Sequence, residues 1–235
     1  MGITASTPLF AAVQKGGVKE DATFGGSALW TQSQYTPVVA AIKSNGATYV
    51  QNGLAYGDTV KLRKEAKQQG VDSVTVWACS LQCYDPKFIT EGGTAVEDQY
   101  AWLQFLPFED KGSNDMLDAF LQYNKKPEGF GVQAFAAGLL FQQVVEAIVA
   151  KDGPNAITRQ AILDEIATVH DFDAGGLLVK TDIAGKNPSP CIVIVQVENG
   201  KWVRRDPAEK GTFDCDQPSA ITEHSLDPLK AYKPS

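Results

Sequence analysis

The residues most able to do chemistry in this 235-residue chain are its four cysteines, which fall into two local pairs, Cys79 with Cys83 and Cys191 with Cys215. Even, paired usage points to an oxidising compartment and to disulfides, although four cysteines allow about three connectivities and free thiols in a reducing compartment fit the same count. A second use is thiol-disulfide exchange at Cys79-Ser80-Leu81-Gln82-Cys83. Such enzymes normally place fewer residues between the sulfurs at a helix start, and no Lys, Arg or His flanks this pair to lower a thiol pKa. Zinc fits poorly, because this spacing lacks a second ligand pair and His170 and His224 are distant in sequence.

Other catalytic arrangements find little support. A Ser or Cys hydrolase needs a base beside its nucleophile, and the only histidines are His170, at a helix-to-turn junction, and His224, in a coil-rich tail. There is no Gly-x-Ser-x-Gly elbow, and no glycine cluster reads as a phosphate-binding loop. The acidic pairs Asp171/Asp173 and Glu109/Asp110 read as solvated loops. The chain is expected to be a binder and not an enzyme, with no cofactor and no metal.

The formal charge is -7, and no stretch collects enough Lys and Arg to neutralise a phosphate backbone, which argues against nucleic acid as a partner. The most apolar stretch, Phe130 to Ala150, is interrupted by Gln133, Gln142, Gln143 and Glu146, so it reads as a core helix and not as a membrane span. Residues Met1 to Val13 have no basic n-region and do not read as a signal peptide.

The elements that must position these residues follow one local syntax in the first half. Thr7-Pro8, Thr36-Pro37 and Asp85-Pro86 open helices that Gly16-Gly17, Asn45-Gly46 and Gly92-Gly93 close, and a further helix is expected from Asp58, as cap, to Gln69. Short β-rich runs lie between them at Ala22 to Gly26, Ala47 to Asn52 and Ser73 to Trp77. Strands alternating with helices predict an α/β fold with an open, mostly parallel sheet, whose ligands bind beyond the carboxyl ends of the strands, at Gln51 to Tyr56 and Trp77 to Tyr84. After about Thr94 come an extended aromatic run, Gln99 to Phe108, and helical patterns at Asn114 to Tyr123, Gly131 to Lys151 and Ile157 to Thr168. Extended runs at Gly176 to Thr181 and Ile192 to Val197 follow, the latter opening a hairpin through Asn199-Gly200. The apolar arc of the 131–151 helix is so broad that something must cover it.

This order of parts resembles the branched-chain amino acid (Leu/Ile/Val-binding type) substrate-binding proteins of ABC importers, which have the type I periplasmic binding fold. The likeness is carried by TPVVAAIKSNGATYVQNG, KLRKEAKQQG leading to DSVTVWA, AVEDQYAWLQFLPF, GVQAFAAGLLFQQVVEAI and the closing GGLLVKTDIAGKNPSPCIVIVQVENGKW. The resemblance implies two α/β lobes joined by hinge strands, a small solute held between them, an ABC permease as partner and an extracytoplasmic location, periplasmic or cell-surface. The same fold also serves as the sensing module of receptors. Residues 1–93 with 190–215 would form lobe two, 94–112 the hinge crossing, 113–189 the helical remainder of lobe one without the start of that lobe, and 216–235 a tail. The 131–151 helix is then expected to be covered by another copy of the chain or by the missing lobe-one segment. Carried over by position, the ligand residues would be Asn52, Gly53, Leu54, Tyr56, Trp77, Cys79, Ser80 and Phe135. No Asp or Glu lies between Trp77 and Tyr84, where amino-acid binders place a partner for the ligand ammonium, and the expected solute is small and apolar or aromatic, or an amino-acid-like ligand.

Overall fold

Proline in the first turn and glycine after the last set the helix boundaries of the first half. The computed structural model describes residues 29–187 and 189–216. The helix expected near Thr7-Pro8, the strand at Ala22 to Gly26 and the tail beyond 216 lie outside the described residues. Helix α1 (Thr36–Ser44) carries Pro37 in its first turn, and α3 (Pro86–Gly92) starts with Asp85 accepting from Lys87 N at 2.7 Å. Helix α2 (Tyr56–Gln68) begins earlier than the sequence suggests. Its N-cap is Ala55, not Asp58; Asp58 sits in the first turn, buried, and meets Lys61 Nζ at 2.9 Å, where a carboxylate also favours the positive end of the helix dipole.

Strand β1 (Tyr49–Gln51) pairs in parallel with β2 (Val76–Cys79), and β2 with β3 (Gln99–Leu103). The sequence pattern places the second strand at Ser73 to Trp77; the ladder instead pairs Tyr49 with Val76 and Gln51 with Ala78, so the strand ends at Cys79. Ala is a weak strand former, and burial of Trp77, Ala78 and Cys79 outweighs that preference. Strands β4 (Val193–Glu198) and β5 (Lys201–Asp206) complete a five-stranded sheet in the order β1-β2-β3-β4-β5. Their Asn199-Gly200 turn takes positive φ at both residues, 51° and 69°, the geometry that Asn-Gly hairpins favour.

Among the described residues the chain divides into two compact units, one of 29–101 and 196–201, the other of 102–187, 189–195 and 202–216. In the first, Tyr35, Val39 and Ile42 pack with Leu62 and Ala66 of α2 and Trp77 of β2. Each such side chain contributes on the order of 1.5–3 kcal/mol by leaving water. The second unit holds α4 (Asp115–Tyr123), α5 (Gly129–Asp152) and α6 (Arg159–Ile166), capped by Asn114, Glu128 and Thr158 respectively. Gly176 to Thr181 forms isolated bridges, Phe105 with Leu178 and Phe172 with Thr181, and not a strand, because Gly175 and Gly176 turn the chain at positive φ.

The apolar arc of α5 is covered on one side only. Val132, Ala136, Val144 and Ile148 are buried, whereas Phe130 and Phe141 are 51% and 55% exposed. By length and composition alone α5 could cross a membrane, and 22% of its most apolar window is buried. Gln133, Gln142, Gln143 and Glu146 are exposed on the same helix.

Candidate functional site

The carboxyl ends of β1 and β2 bring two loops together in the first unit. After β1, Asn52 ties its loop to both neighbours. Its backbone N–H donates to Ala78 O at 3.0 Å and its Nδ2 to the same oxygen at 3.3 Å. Its Oδ1 accepts from Leu54 N at 3.1 Å and from Thr59 Oγ1 at 2.9 Å. Asn52 thus closes an Asx turn and anchors it to β2 and α2, and most of its amide capacity is spent on the loop.

That turn delivers the chain into α2, whose N-terminus has no side-chain cap. The first-turn N–H groups at Tyr56 and Gly57 are donors that a helix leaves without intrahelical partners, and they suit an anionic group. An added Cβ at Gly53 or Gly57 would meet no atom within 4 Å, so the backbone there faces open space. Lys87 Nζ stands 5.9 Å from the centre of the Tyr56 ring.

Beyond β2, Cys79 and Cys83 form a disulfide with a Cα separation of 6.2 Å, and both residues are fully buried. The bond closes a loop through Ser80, itself buried, and a 3-10 turn at Leu81–Cys83. The turn is held by Cys83 N donating to Ser80 O at 3.1 Å and Tyr84 N to Leu81 O at 3.0 Å. The second disulfide, Cys191–Cys215, joins the strand region to the following segment in the other unit, beside reciprocal 2.9 Å bonds between Ile192 and Asp214.

The structure brings Asn52, Gly53, Leu54 and Tyr56 to the same strand ends as Cys79 and Ser80. Trp77 is placed differently. Because β2 ends two residues later than the pattern suggests, Trp77 is its second residue, buried in the helix-side core with the Arg63 guanidinium 4.4 Å above its ring. Arg63 donates to Ala95 O and Glu97 O at 3.1 and 2.7 Å, and burial, partly opposed by Asp98, lowers its pKa to about 10. No sequence signal marks Arg63, because its stacking on Trp77 joins α2 to β2 across a loop.

Arg63 also lines a groove of about 540 Å³ with Lys67, Val74, Trp77, Asp98 and Tyr100. Its loop residues, Asp72, Val74, Thr75, Ala95, Glu97 and Asp98 among them, precede β2 and β3, which puts it at the amino ends of the strands. Ligands of parallel α/β sheets bind at the opposite ends, and the groove's cations are already bonded, Arg63 to the carbonyls of Ala95 and Glu97 and Lys67 to Thr94, so the Asn52 loop is the better candidate. In the second unit, Phe135 on α5 is partly exposed, with its ring 5.6 Å from Phe120, which stacks on Phe108 at 5.9 Å.

Comparisons with known proteins establish the fold, and one family model establishes the family. The solved structures similar to this chain include a branched-chain amino acid ABC transporter protein from Thermus thermophilus with bound valine (15% identity, TM-score 0.67), covering 86% of this chain and 56% of that one. A leucine-binding protein from Thermotoga maritima aligns at 19% identity and TM-score 0.63, over 83% of this chain and 53% of its own. An ABC transporter substrate-binding protein from Aeropyrum pernix aligns at 12% identity and TM-score 0.69, over 87% and 57%. At these identities the likeness establishes the fold, and the chain spans little more than half the length of these relatives. No curated protein matches it. The family model described as periplasmic binding protein matches residues 6–201, and on that match the chain belongs to the periplasmic binding protein family.

Proposed function

We propose that this chain is the solute-binding component of an extracytoplasmic ABC import system and takes a small apolar or aromatic solute at the carboxyl ends of β1 and β2. The observation that carries the reading is the uncapped α2 N-terminus beside the Asn52 loop, facing open space at Gly53 and Gly57. First-turn amides there would hold a carboxylate or carbonyl oxygen, while Leu54, Tyr56 and the Ser80 loop would flank the apolar part. Of the similar proteins, one holds bound valine and another is a leucine-binding protein, which supports a solute of this size. Phe135 enters the proposal on sequence position. An exchange enzyme using Cys79 and Cys83 is disfavoured because both sulfurs are enclosed and an attacking thiolate needs access to one of them. An ABC permease is the proposed partner, and the uncovered face of α5 is the surface that a second copy or a lobe-one segment would cover; a monodisperse monomer by light scattering, with no binding of a hydrophobic dye, would contradict this.

The test is a thermal-shift panel of L-valine, L-leucine, L-phenylalanine, benzoate, 3-phenylpropanoate and butyramide. Ligand at about a hundredfold its Kd adds about 2.7 kcal/mol to the bound unit, so one class should raise Tm with dose, and Tyr56→Ala should blunt the rise. No rise for any probe, together with disulfide turnover that Cys79→Ser abolishes, would overturn the proposal.

A further inference from the structure

The two loops at the strand ends are joined by a closed circuit of contacts that runs through the Cys79–Cys83 disulfide. From Cys83, Sγ lies 3.4 Å from Thr59 Oγ1 on α2. Thr59 Oγ1 donates to Asn52 Oδ1 at 2.9 Å, and Asn52 donates through N and Nδ2 to Ala78 O, the residue bonded to Cys79. Cys79, Cys83 and Thr59 are all fully buried, so no water competes for these contacts. The loop after β1 is therefore braced against the sulfur of the loop after β2.

We propose that Cys79 and Cys83 are positioning residues for ligand binding, whose cross-link sets the rigidity of the Asn52–Tyr56 loop through Thr59 as well as that of their own loop. The functional consequence rests on the proposed solute-binding role; the coupling does not. Two mobile loops must be ordered when a ligand lands on them, whereas two braced loops are ordered beforehand, and that difference appears in affinity. The other disulfide, Cys191–Cys215, closes a longer loop in the second unit, which makes it the matched control.

Hydrogen exchange without ligand tests the coupling. In the Cys79→Ala/Cys83→Ala chain, the amides of Cys83's successor Tyr84 and of Leu54, the latter bonded to Asn52 Oδ1, should exchange faster by about tenfold or more, while the Cys191→Ala/Cys215→Ala chain leaves both unchanged. Should the paired alanine chain fail to fold, Thr59→Val keeps the disulfide, severs the bond to Asn52 and should accelerate Leu54 alone. Leu54 exchange that stays at the parent rate in either variant overturns the coupling. For affinity, the Kd of whichever of benzoate or L-leucine binds the parent should rise about tenfold in the Cys79/Cys83 variant and not in the control; an equal rise in both would reduce the disulfide to a general staple and overturn the positioning role. If neither probe binds the parent, the proposed ligand class fails, and the exchange comparison still decides the coupling.

Discussion

Replacing Arg204 by methionine tests what holds residues 207–216 against their unit. The Arg204 guanidinium is almost enclosed: Nη1 meets Asp110 Oδ2, Nε donates to Pro207 O at 2.6 Å, and Nη2 donates to Thr212 O. Asp110 is fully buried, and its Oδ2 also accepts from Gly211 N at 3.0 Å, while Oδ1 has no partner. Arg204→Met keeps an apolar stem of similar reach and deletes the charge, leaving Asp110 as a buried carboxylate with a single amide. Stranding one member of a buried pair costs about 3–5 kcal/mol, and the freed Pro207 and Thr212 carbonyls argue for the upper part of that range. Burial pushes the Arg204 pKa down, with Asp110 and then Asp206 opposing it, so the pair is working against its own desolvation. The double change Arg204→Met/Asp110→Leu should therefore recover most of the loss and stand within about 1–2 kcal/mol of the parent. Urea unfolding followed by tryptophan fluorescence reads both, since Trp102 and Trp202 lie in this unit. A single-variant loss under about 1 kcal/mol, or a double variant no better than the single, would refute the reasoning.

Three other substitutions have defined outcomes. A Cβ at Gly92 would fall 2.4 Å from a Val96 methyl that is fully buried, so Gly92→Ala should cost about 1–3 kcal/mol by calorimetry, and a loss below about 0.5 would show that the α3 end can shift. Hydrogen bonds from Gln69, Thr36 and Gln32 hold the buried Glu65 carboxyl below its ordinary pKa, so its contribution is full above the unfolded value and fades as pH falls through the folded one. Glu65→Gln should thus lose about 1–2 kcal/mol at pH 7 and approach the parent only as pH falls below the ordinary carboxylate range, whereas a constant gap throughout would assign the loss to packing. Burial, reinforced by Asp58, pushes the Tyr35 pKa up to about 12, and its hydroxyl is buried without a partner. Tyr35→Phe should be neutral or stabilising by up to about 1 kcal/mol in urea titrations, and a larger loss would reveal a bond to the hydroxyl.

Helix ends were the most legible feature of the sequence, because Pro37, Asp85, Pro86 and Gly93 each act through local backbone chemistry that tertiary structure does not override. Asp58 misled for the same reason: it has the chemistry of a cap, yet Lys61 and burial claim it within the first turn of the helix. The end of β2 was less legible. Ala78 has low strand preference, and the extension through Cys79 depends on β1 and β3 on either side. That shift moved the candidate site, taking Trp77 into the core and leaving Ser80 at the strand end. The circuit from Cys83 through Thr59 to Asn52 was beyond sequence reading, since it joins residues whose separations of 24 and 7 follow no local rule.

The placement of acidic groups decides what the proposed site should prefer. An amino acid presents a carboxylate and an ammonium, and the uncapped first turn of α2 answers only the carboxylate. Near these loops in sequence, Asp58 is committed to Lys61 and Asp85 to the α3 amide of Lys87, and no acidic residue lies between Trp77 and Tyr84. Burying an ammonium beside these two loops would leave it without a counter-charge from them, a cost of about 1–3 kcal/mol for an unmet donor and more for a charged one. An apolar carboxylate escapes that cost. 3-Phenylpropanoate, which is phenylalanine without its amine, should therefore bind about 5- to 100-fold more tightly than L-phenylalanine by calorimetric titration at pH 7. Tighter binding of phenylalanine would mean that the ammonium finds its carboxylate elsewhere, and would return the site to the amino-acid pattern of its relatives.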